Sequence, residues 1–425
     1  MAETIPLISS RGELSAALEQ PCEEAGLVVT TIGDEIQAAE HLSVEMPELA
    51  IIDFSDERID SFALLGDIMS DPWLLQGGII AVHRKPEQAR RLTEMQGANI
   101  VIVLREAEIP HYLAQVLRIV RNNRRLIFQR GMGMDFIGNI SASFQLENDP
   151  VVARCYANLV CNFLYSAGRI DAQGKSGAQL ALIEMLMNAM EHGNCGISAQ
   201  AKQAWLEEGR SIGELIAREG ALPANRDKRV TFEYSLREDH AEILIRDEGA
   251  GFDWRHLPDP VADDNLLALR GRGIMMSRAA VDKLRYNETG NEVRFEIRFS
   301  QTERQAPVLF RDLAVHEVQA GDVVFQQGEE GDVLYYIARG NYEVSVDGRA
   351  VSTLTPDDIF IGEMSFLLNN RRSATVTALD SGKLIMISRQ EFVEGIRVNP
   401  HYALLLSRLL AQRIARLNLM SSGMF

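Results

Sequence analysis

The sequence predicts a multidomain protein of three successive kinds: an α/β unit with a doubly wound parallel sheet, an α+β unit, and a C-terminal β-roll with capping helices. Three observations predict it. Residues 1–130 alternate short apolar runs with helical stretches, as a parallel sheet covered by helices requires. Helical patterns then lead into Val230–Leu236 and Ala241–Asp247, which alternate like paired antiparallel strands around a turn at Arg237–His240. From Leu309 onward short strands recur roughly every 8–12 residues with Gly or Asp between them, the spacing of an all-β roll. The length of 425 residues agrees, at roughly 150 residues per domain. The expected divisions are 1–130, 131–302 and 303–425.

Composition excludes several classes. The net charge of −17 disfavours non-specific binding to nucleic acid or to a membrane surface. No apolar run approaches the ~18 residues of a spanning helix, and no basic start leads into an apolar core, so no secretory signal is expected. Cys22, Cys155, Cys161 and Cys195 lack zinc-site spacing and read as reduced, mostly buried thiols of a cytoplasmic protein.

In the first unit the strands are Ile5–Ser9, Leu27–Thr31, Leu49–Phe54, Gly78–His83 and Asn99–Leu104. Asp53 ends the third. This layout resembles a response-regulator receiver domain. The resemblance implies an acidic pair after the first strand to hold magnesium, but Ser9-Ser10-Arg11 stands there. His83 replaces the hydroxyl after the fourth strand, and Leu104 or Arg105 the lysine after the fifth. Without the acids a divalent ion has too few hard oxygen ligands. The expectation is a degenerate receiver in which Asp53 is not phosphorylated; the plainer role is docking or dimerisation, with a homodimer possible. Residues 110–130 read as its last helix extended into a linker with a basic run at Arg121–Arg125.

Residues 135–180 read as two helical segments. The helix at Ala181–Gly193 follows, with strong helix formers and a glycine at its end. Leu180, Ile183, Met187 and Met190 give it an apolar arc, widened by Leu182, Met185 and Leu186. Glu184, Asn188 and Glu191 form one polar stripe, with His192 beside it. A plain reading makes this the solvated side of an amphipathic helix. Two downstream stretches favour a site. Ile243–Phe252 is a strand ending in Asp-x-Gly-x-Gly, and Arg270–Met276 places two glycines before a helix. Glycines there let backbone N–H groups approach phosphate. A strand-end carboxylate such as Asp247 accepts from the exocyclic amine of a purine.

The ordered set of motifs resembles the ATP-binding α/β sandwich shared by gyrase, heat-shock chaperones and histidine kinases, and within it the anti-sigma-factor serine kinases. The resemblance covers 135–300 and rests on Glu191–Asn194, Arg246–Asp253, Gly271–Ile274 and Asp282–Val293. It implies that Asn188 binds Mg2+, that Glu184 is the general base, and that Asp247 recognises adenine. His192, Gly249, Gly251, Gly271, Arg272 and Gly273 would shape the nucleotide pocket and its lid, with 254–270 as the mobile segment. A histidine kinase carries its phosphoacceptor on a helical hairpin ahead of this domain. No histidine lies between His111 and His192, which argues against that reading. Two helices in a polar insert, around Ser198–Glu208 and Ser211–Glu219, and a closing strand at Val293–Phe299 complete the unit.

In the roll, strands are expected at Val323–Gln326, Val333–Ala338, Tyr342–Val346, Val351–Thr353, Ala374–Leu379 and Lys383–Ser388. Gly362 permits a tight turn into a short helix, Glu363 can accept from a sugar hydroxyl, and Arg372 can clamp a phosphate. The run Gly362-Glu363-Met364-Ser365 … Arg372-Ser373-Ala374 resembles the phosphate-binding cassette of cyclic-nucleotide-binding domains. That puts Glu363 on the ribose hydroxyl and Arg372 with Ser373 on the cyclic phosphate of cAMP or cGMP. Arg371 stands where the family has a proline. The alternative is a roll that kept its fold and lost its ligand. Two helices, Gln390–Ile396 and His401–Leu419, follow, and no helix-turn-helix is expected after them.

The function expected from these resemblances is cytoplasmic signalling. Mg-ATP would phosphorylate Ser or Thr of a partner of the anti-sigma-antagonist type, under cyclic-nucleotide control, with sequestration of a sigma factor also possible. The alternative is a catalytically silent adaptor whose shape ATP and cyclic nucleotide set.

Overall fold

The structure, a computed structural model, describes residues 3–71, 77–95, 97–123, 141–237, 239–254, 277, 280–300, 306–307, 310–400, 402–404, 406–407 and 410–411. Gly271, Arg272 and Gly273, nearly all of the expected 254–270 lid and the last helix beyond 411 lie outside these residues.

Strands β1 (Glu3–Ile8), β2 (Leu27–Ile32), β3 (Leu49–Asp53), β4 (Gly78–His83) and β5 (Ile100–Arg105) form a parallel sheet in the order β2-β1-β3-β4-β5. This is a doubly wound order, with its crevice at the carboxyl ends of the strands. Leu14 and Leu18 of α1 (Gly12–Glu24) and Leu113, Val116 and Leu117 of α5 (Ile109–Asn122) cover one face. Residues of α2 (Glu35–Glu45), α3 (Ser61–Ser70) and α4 (Pro86–Glu94) cover the other. β4 is buried along its whole length, which explains its uninterrupted apolar run.

At the crevice Asp53 is fully buried and already paired. Arg11 Nε donates to Asp53 Oδ2 at 2.7 Å, and Ser9 Oγ donates to the same oxygen at 2.8 Å. The same guanidinium reaches Glu106 at 2.8 Å, and Arg84 holds Glu106 from outside at 2.7 Å. A fixed cation thus takes the place beside Asp53 that a divalent ion would need. Arg11→Ala leaves this buried carboxylate without its cation. It is expected to lower stability by about 3 kcal/mol, read as a fall in the denaturation midpoint, with Arg11→Ala/Asp53→Asn recovering part of the loss.

The second sheet is antiparallel, from β6 (Ser141–Leu146), β7 (Val230–Leu236), β8 (His240–Arg246), β9 (Asp282–Tyr286) and β10 (Glu292–Arg298), in the order β6-β7-β8-β10-β9. Helices α6 (Pro150–Ser166) and α7 (Ala172–Asn188) pack on it. Two expectations need correction. Residues 135–180 hold a strand as well as helices: Phe144 and Leu146 of β6 face the core against β7. The strand at 293–299 does not close the sheet, because β9 lies outside it. The insert forms α8 (Ala199–Glu207) and α9 (Ile212–Gly220), close to the expected spans.

The C-terminal roll has β11 (Val315–Val318), β12 (Val323–Phe325), β13 (Val333–Arg339), β14 (Tyr342–Val346), β15 (Arg349–Leu354), β16 (Phe360–Ile361), β17 (Thr375–Ala378) and β18 (Gly382–Ser388). They form two antiparallel sheets, β11-β18-β13-β16 and β12-β17-β14-β15. Short helix α10 (Glu363–Leu368) interrupts the strands, and α11 (Arg389–Val398) follows them behind a Ser388–Glu391 capping box. Among the described residues no helix is long and apolar enough to cross a membrane.

Candidate functional site

Helix α7 begins at a capped end, where Asp171 Oδ1 accepts from Gly174 N at 2.6 Å. It buries Ala178, Ala181, Leu182, Met185 and Leu186. Leu180, expected on the apolar arc, is instead 44% exposed. Glu184 and Asn188 share the half-open face, and Asn188 Nδ2 donates to Glu184 Oε1 at 3.4 Å.

Past Asn188 the helix widens into a π-helical turn, Ala189–Asn194, a distortion that recurs at functional sites. The wider turn rotates Glu191 off the stripe on which strict periodicity puts it. Glu191 is 2% exposed and ion-paired with Lys202 of α8. The His192 side chain is tied through Nδ1 to the Ile197 carbonyl.

The end of this turn rests on the end of β8. A Cβ at Gly193 would run into the Asp247 carboxyl, and one at Gly249 would meet the Gly193 carbonyl, so both close approaches require glycine. Gly251 packs as tightly on the Thr289 carbonyl. Asp247 Oδ1 accepts from Gly249 N at 2.8 Å, and Asn291 Nδ2 donates to the Asp247 carbonyl at 3.2 Å. Burial pushes the Asp247 carboxyl up to about 6, against the opposing pull of the Gly249 N–H and the Lys228 charge. A buried carboxylate with spare lone pairs suits an amine donor.

Asn194 was not singled out from sequence, yet it is fully buried and knits this site together. Its Oδ1 accepts from Glu248 N at 2.8 Å, its Nδ2 donates to Asn148 at 2.8 Å, and its carbonyl accepts from Lys228 Nζ at 2.9 Å. Its place in the Glu-His-Gly-Asn run was the available signal.

The second cluster lies in the roll. Gly362 adopts φ +84° to enter α10, and a Cβ there would strike the Arg372 guanidinium. Arg372 is 4% exposed. It donates to Ser365 Oγ at 2.9 Å, the Gly362 carbonyl at 3.2 Å and the Val333 carbonyl at 2.6 Å, and its guanidinium lies 4.1 Å from the centroid of the Phe325 ring. All three acceptors are neutral, and among the described residues the buried Nε has no partner. Desolvation draws the Arg372 pKa down. A buried cation held by neutral acceptors with a donor to spare fits an anion. Glu363 and Ser365 are buried beside it; Met364 and Ser373 are exposed, and Ala374 is buried. The sequence did not identify Phe325 or Val333 as its partners.

Residues 156–297 match the family model of the histidine kinase-like ATPase domain, and residues 315–399 match that of the cyclic nucleotide-binding domain. The chain is 40% identical over 76 residues to the cAMP-dependent protein kinase type II regulatory subunit of Drosophila melanogaster, covering 18% of this chain and 20% of the relative. It is 34% identical over 104 residues to the cyclic AMP receptor protein of Thermus thermophilus, covering 23% of this chain and 48% of the relative. The crystal structure of the Thermus thermophilus catabolite activator protein aligns with 27% of this chain and 56% of its own, at 28% identity and a TM-score of 0.25. The chain thus spans half or less of these curated relatives. It carries a histidine kinase-like ATPase domain in its middle and a cyclic nucleotide-binding domain after it.

Proposed function

We propose that this chain is an ATP-dependent protein serine/threonine kinase of cytoplasmic signalling, built from units 1–130, 131–302 and 303–425 and regulated by cAMP or cGMP. One observation carries the reading: Glu184 and Asn188 lie one turn apart on the open face of α7, whose terminal turn rests on Asp247. Asp247 accepts from the adenine amine. Gly193 and Gly249 let the terminal turn of α7 close onto Asp247, and Gly251 lets the chain pass the Thr289 carbonyl, which fixes the carboxyl's place. The amide oxygen of Asn188 suits Mg2+, which takes one or two protein oxygens and completes its shell with water and phosphate. When bound, the ion neutralises charge on the transferring phosphate. Glu184 takes the proton of the attacking hydroxyl. Arg372 with Ser373 would hold the cyclic phosphate, and Glu363 the ribose hydroxyl. The partner presents a Ser or Thr, as an anti-sigma antagonist does.

Calorimetric titration with Mg-ATP across pH tests this. The folded Asp247 carboxyl titrates near 6, above the ~3.9 of an unfolded chain. Between those values the folded free protein holds a proton that the unfolded chain lacks, so acidification through this window favours the free fold. An amine donor needs the carboxylate. Mg-ATP affinity is therefore expected to fall as pH drops below about 6, by up to about tenfold per unit. Asp247→Asn should abolish that step and leave the titration of the nucleotide phosphates. Absence of binding at pH 8 would sink the reading.

A further inference from the structure

We propose that the N-terminal parallel-sheet unit is the transmission element between the cyclic-nucleotide site and the ATP-site helix, gripped by the roll at one end and by α6 and α7 at the other. The inference rests on the two sites proposed above and adds what joins them.

The grip on the roll side begins at the phosphate cassette. Arg372 is bonded to Ser365 and Gly362, at the start of α10. Phe366 of α10 belongs to one buried apolar cluster with Phe310, Tyr336, Tyr402 and Leu406. Met46 belongs to that cluster too, although it caps α2 of the N-terminal unit and is 5% exposed. Two polar contacts flank it. Tyr402 Oη donates to Asp71 Oδ2 at 3.2 Å, and Arg311 Nη2 donates to the Ser70 carbonyl at 2.9 Å. Ser70 and Asp71 end α3. An anion drawn onto Arg372 pulls on α10, and α10 is packed against the cluster that Met46 completes.

The other grip is on β5, the edge strand of the parallel sheet. Edge carbonyls of a sheet ordinarily face water or another strand. Here side chains of the middle unit claim them. Asn158 Nδ2 donates to the Val101 carbonyl at 2.8 Å and Asn162 Nδ2 to the Ile100 carbonyl at 3.0 Å, both from α6. Lys175, on α7 itself and 3% exposed, donates at 2.6 Å to the carbonyl of Ala98, in the turn just before β5. Gln179 of α7 joins by donating to Asn158 Oδ1 at 2.6 Å. Val101, Ile102 and Leu104 share a continuous core with Val151, Leu159 and Leu164 of α6 and Leu182 and Met185 of α7. The sheet and the helix that carries Glu184 and Asn188 therefore move as one packed body. A buried lysine bonded to a backbone carbonyl is an expensive anchor, and its position in the first turn of α7 gives it purchase on that helix.

Coupling between two ligands is reciprocal, so calorimetry reads it from either side. In the full chain, cAMP is expected to shift the Mg-ATP affinity by at least about fivefold, and Mg-ATP to shift cAMP affinity by the same factor. The variant Asp71→Ala/Arg311→Ala loosens the roll side. Lys175→Met keeps a buried chain of similar length and loosens the other. Each variant should bind either ligand alone with unchanged affinity while the mutual shift collapses towards unity. If the shift survives in both variants, the coupling does not run through this unit and the proposal fails. If both ligands bind the unmodified chain with no mutual shift, the sites stand and the proposal fails. If either ligand does not bind at all, the site readings fail and the proposal fails with them. Circular dichroism of each variant checks that its fold is intact.

Discussion

On the proposed kinase reading, Glu184→Gln is expected to bind Mg-ATP as tightly as the unmodified chain and to lose phosphoryl transfer to a protein partner by about 10²–10⁴-fold, the usual contribution of a general base. The substitution is nearly isosteric. Gln keeps an oxygen that can accept from Asn188 Nδ2, so the 3.4 Å contact and the half-open face of α7 survive. Asp247, two motifs away, keeps its bonds to Gly249 and Asn291. The group proposed to accept the adenine amine is unchanged, so the dissociation constant should not move. What disappears is a side chain able to take a proton from the attacking hydroxyl. The result separates two classes of protein. Transfer that persists in Glu184→Gln assigns the base elsewhere. An unmodified chain that binds Mg-ATP but never transfers phosphate to any Ser-bearing partner is the adaptor instead.

Much of the arrangement of this candidate site was legible because its determinants are local. Glu184 and Asn188 are one helical turn apart, and the Asp-x-Gly-x-Gly run needs only a strand end and close backbone approach to make sense. Glu191 was misplaced because a single π turn breaks the 3.6-residue period that put it on the stripe. Its true partner, Lys202, sits 11 residues on, in a helix whose docking no local pattern announces. Strand β4 was read to the residue because burial on both faces gives a solid apolar run. β6 was missed because its inward positions are only Ala142, Phe144 and Leu146, a short alternation among polar neighbours. β16, with two residues, is too short for any period to register. At Asp53 the sequence signalled a missing acidic pair; only the fold shows that Arg11, the residue in that very place, turns inward to neutralise the carboxylate.

Arg372→Met should abolish cyclic-nucleotide binding while leaving the free roll at least as stable as before. The two effects have opposite sign for one physical reason. In the free protein Arg372 is a desolvated cation with three neutral acceptors, an Nε unpartnered among the described residues, and a lowered pKa. Such a charge is a burden on the fold, and apolar replacement of a buried ionic group is often neutral or stabilising. Met has the volume and flexibility to keep the contact with Phe325. Binding is different, because the cyclic phosphate supplies a counter-charge in direct contact, beyond the weaker attraction of Asp332, Glu329 and Glu363. Two charge-assisted bonds from the guanidinium fork, at about 2 kcal/mol each, are worth about 10³-fold in affinity. At 100 Kd a ligand raises stability by about 2.7 kcal/mol, so the unmodified chain should show a clear nucleotide-dependent rise in its denaturation midpoint. Arg372→Met should start from an equal or higher midpoint and show no rise. Arg372→Lys keeps the charge without the planar fork and should fall between the two in affinity. A nucleotide-dependent rise that survives in Arg372→Met would mean that the anion is held elsewhere in the roll. The opposite signs also separate loss of a ligand contact from simple unfolding, since an unfolded roll would lose both its midpoint and its ligand.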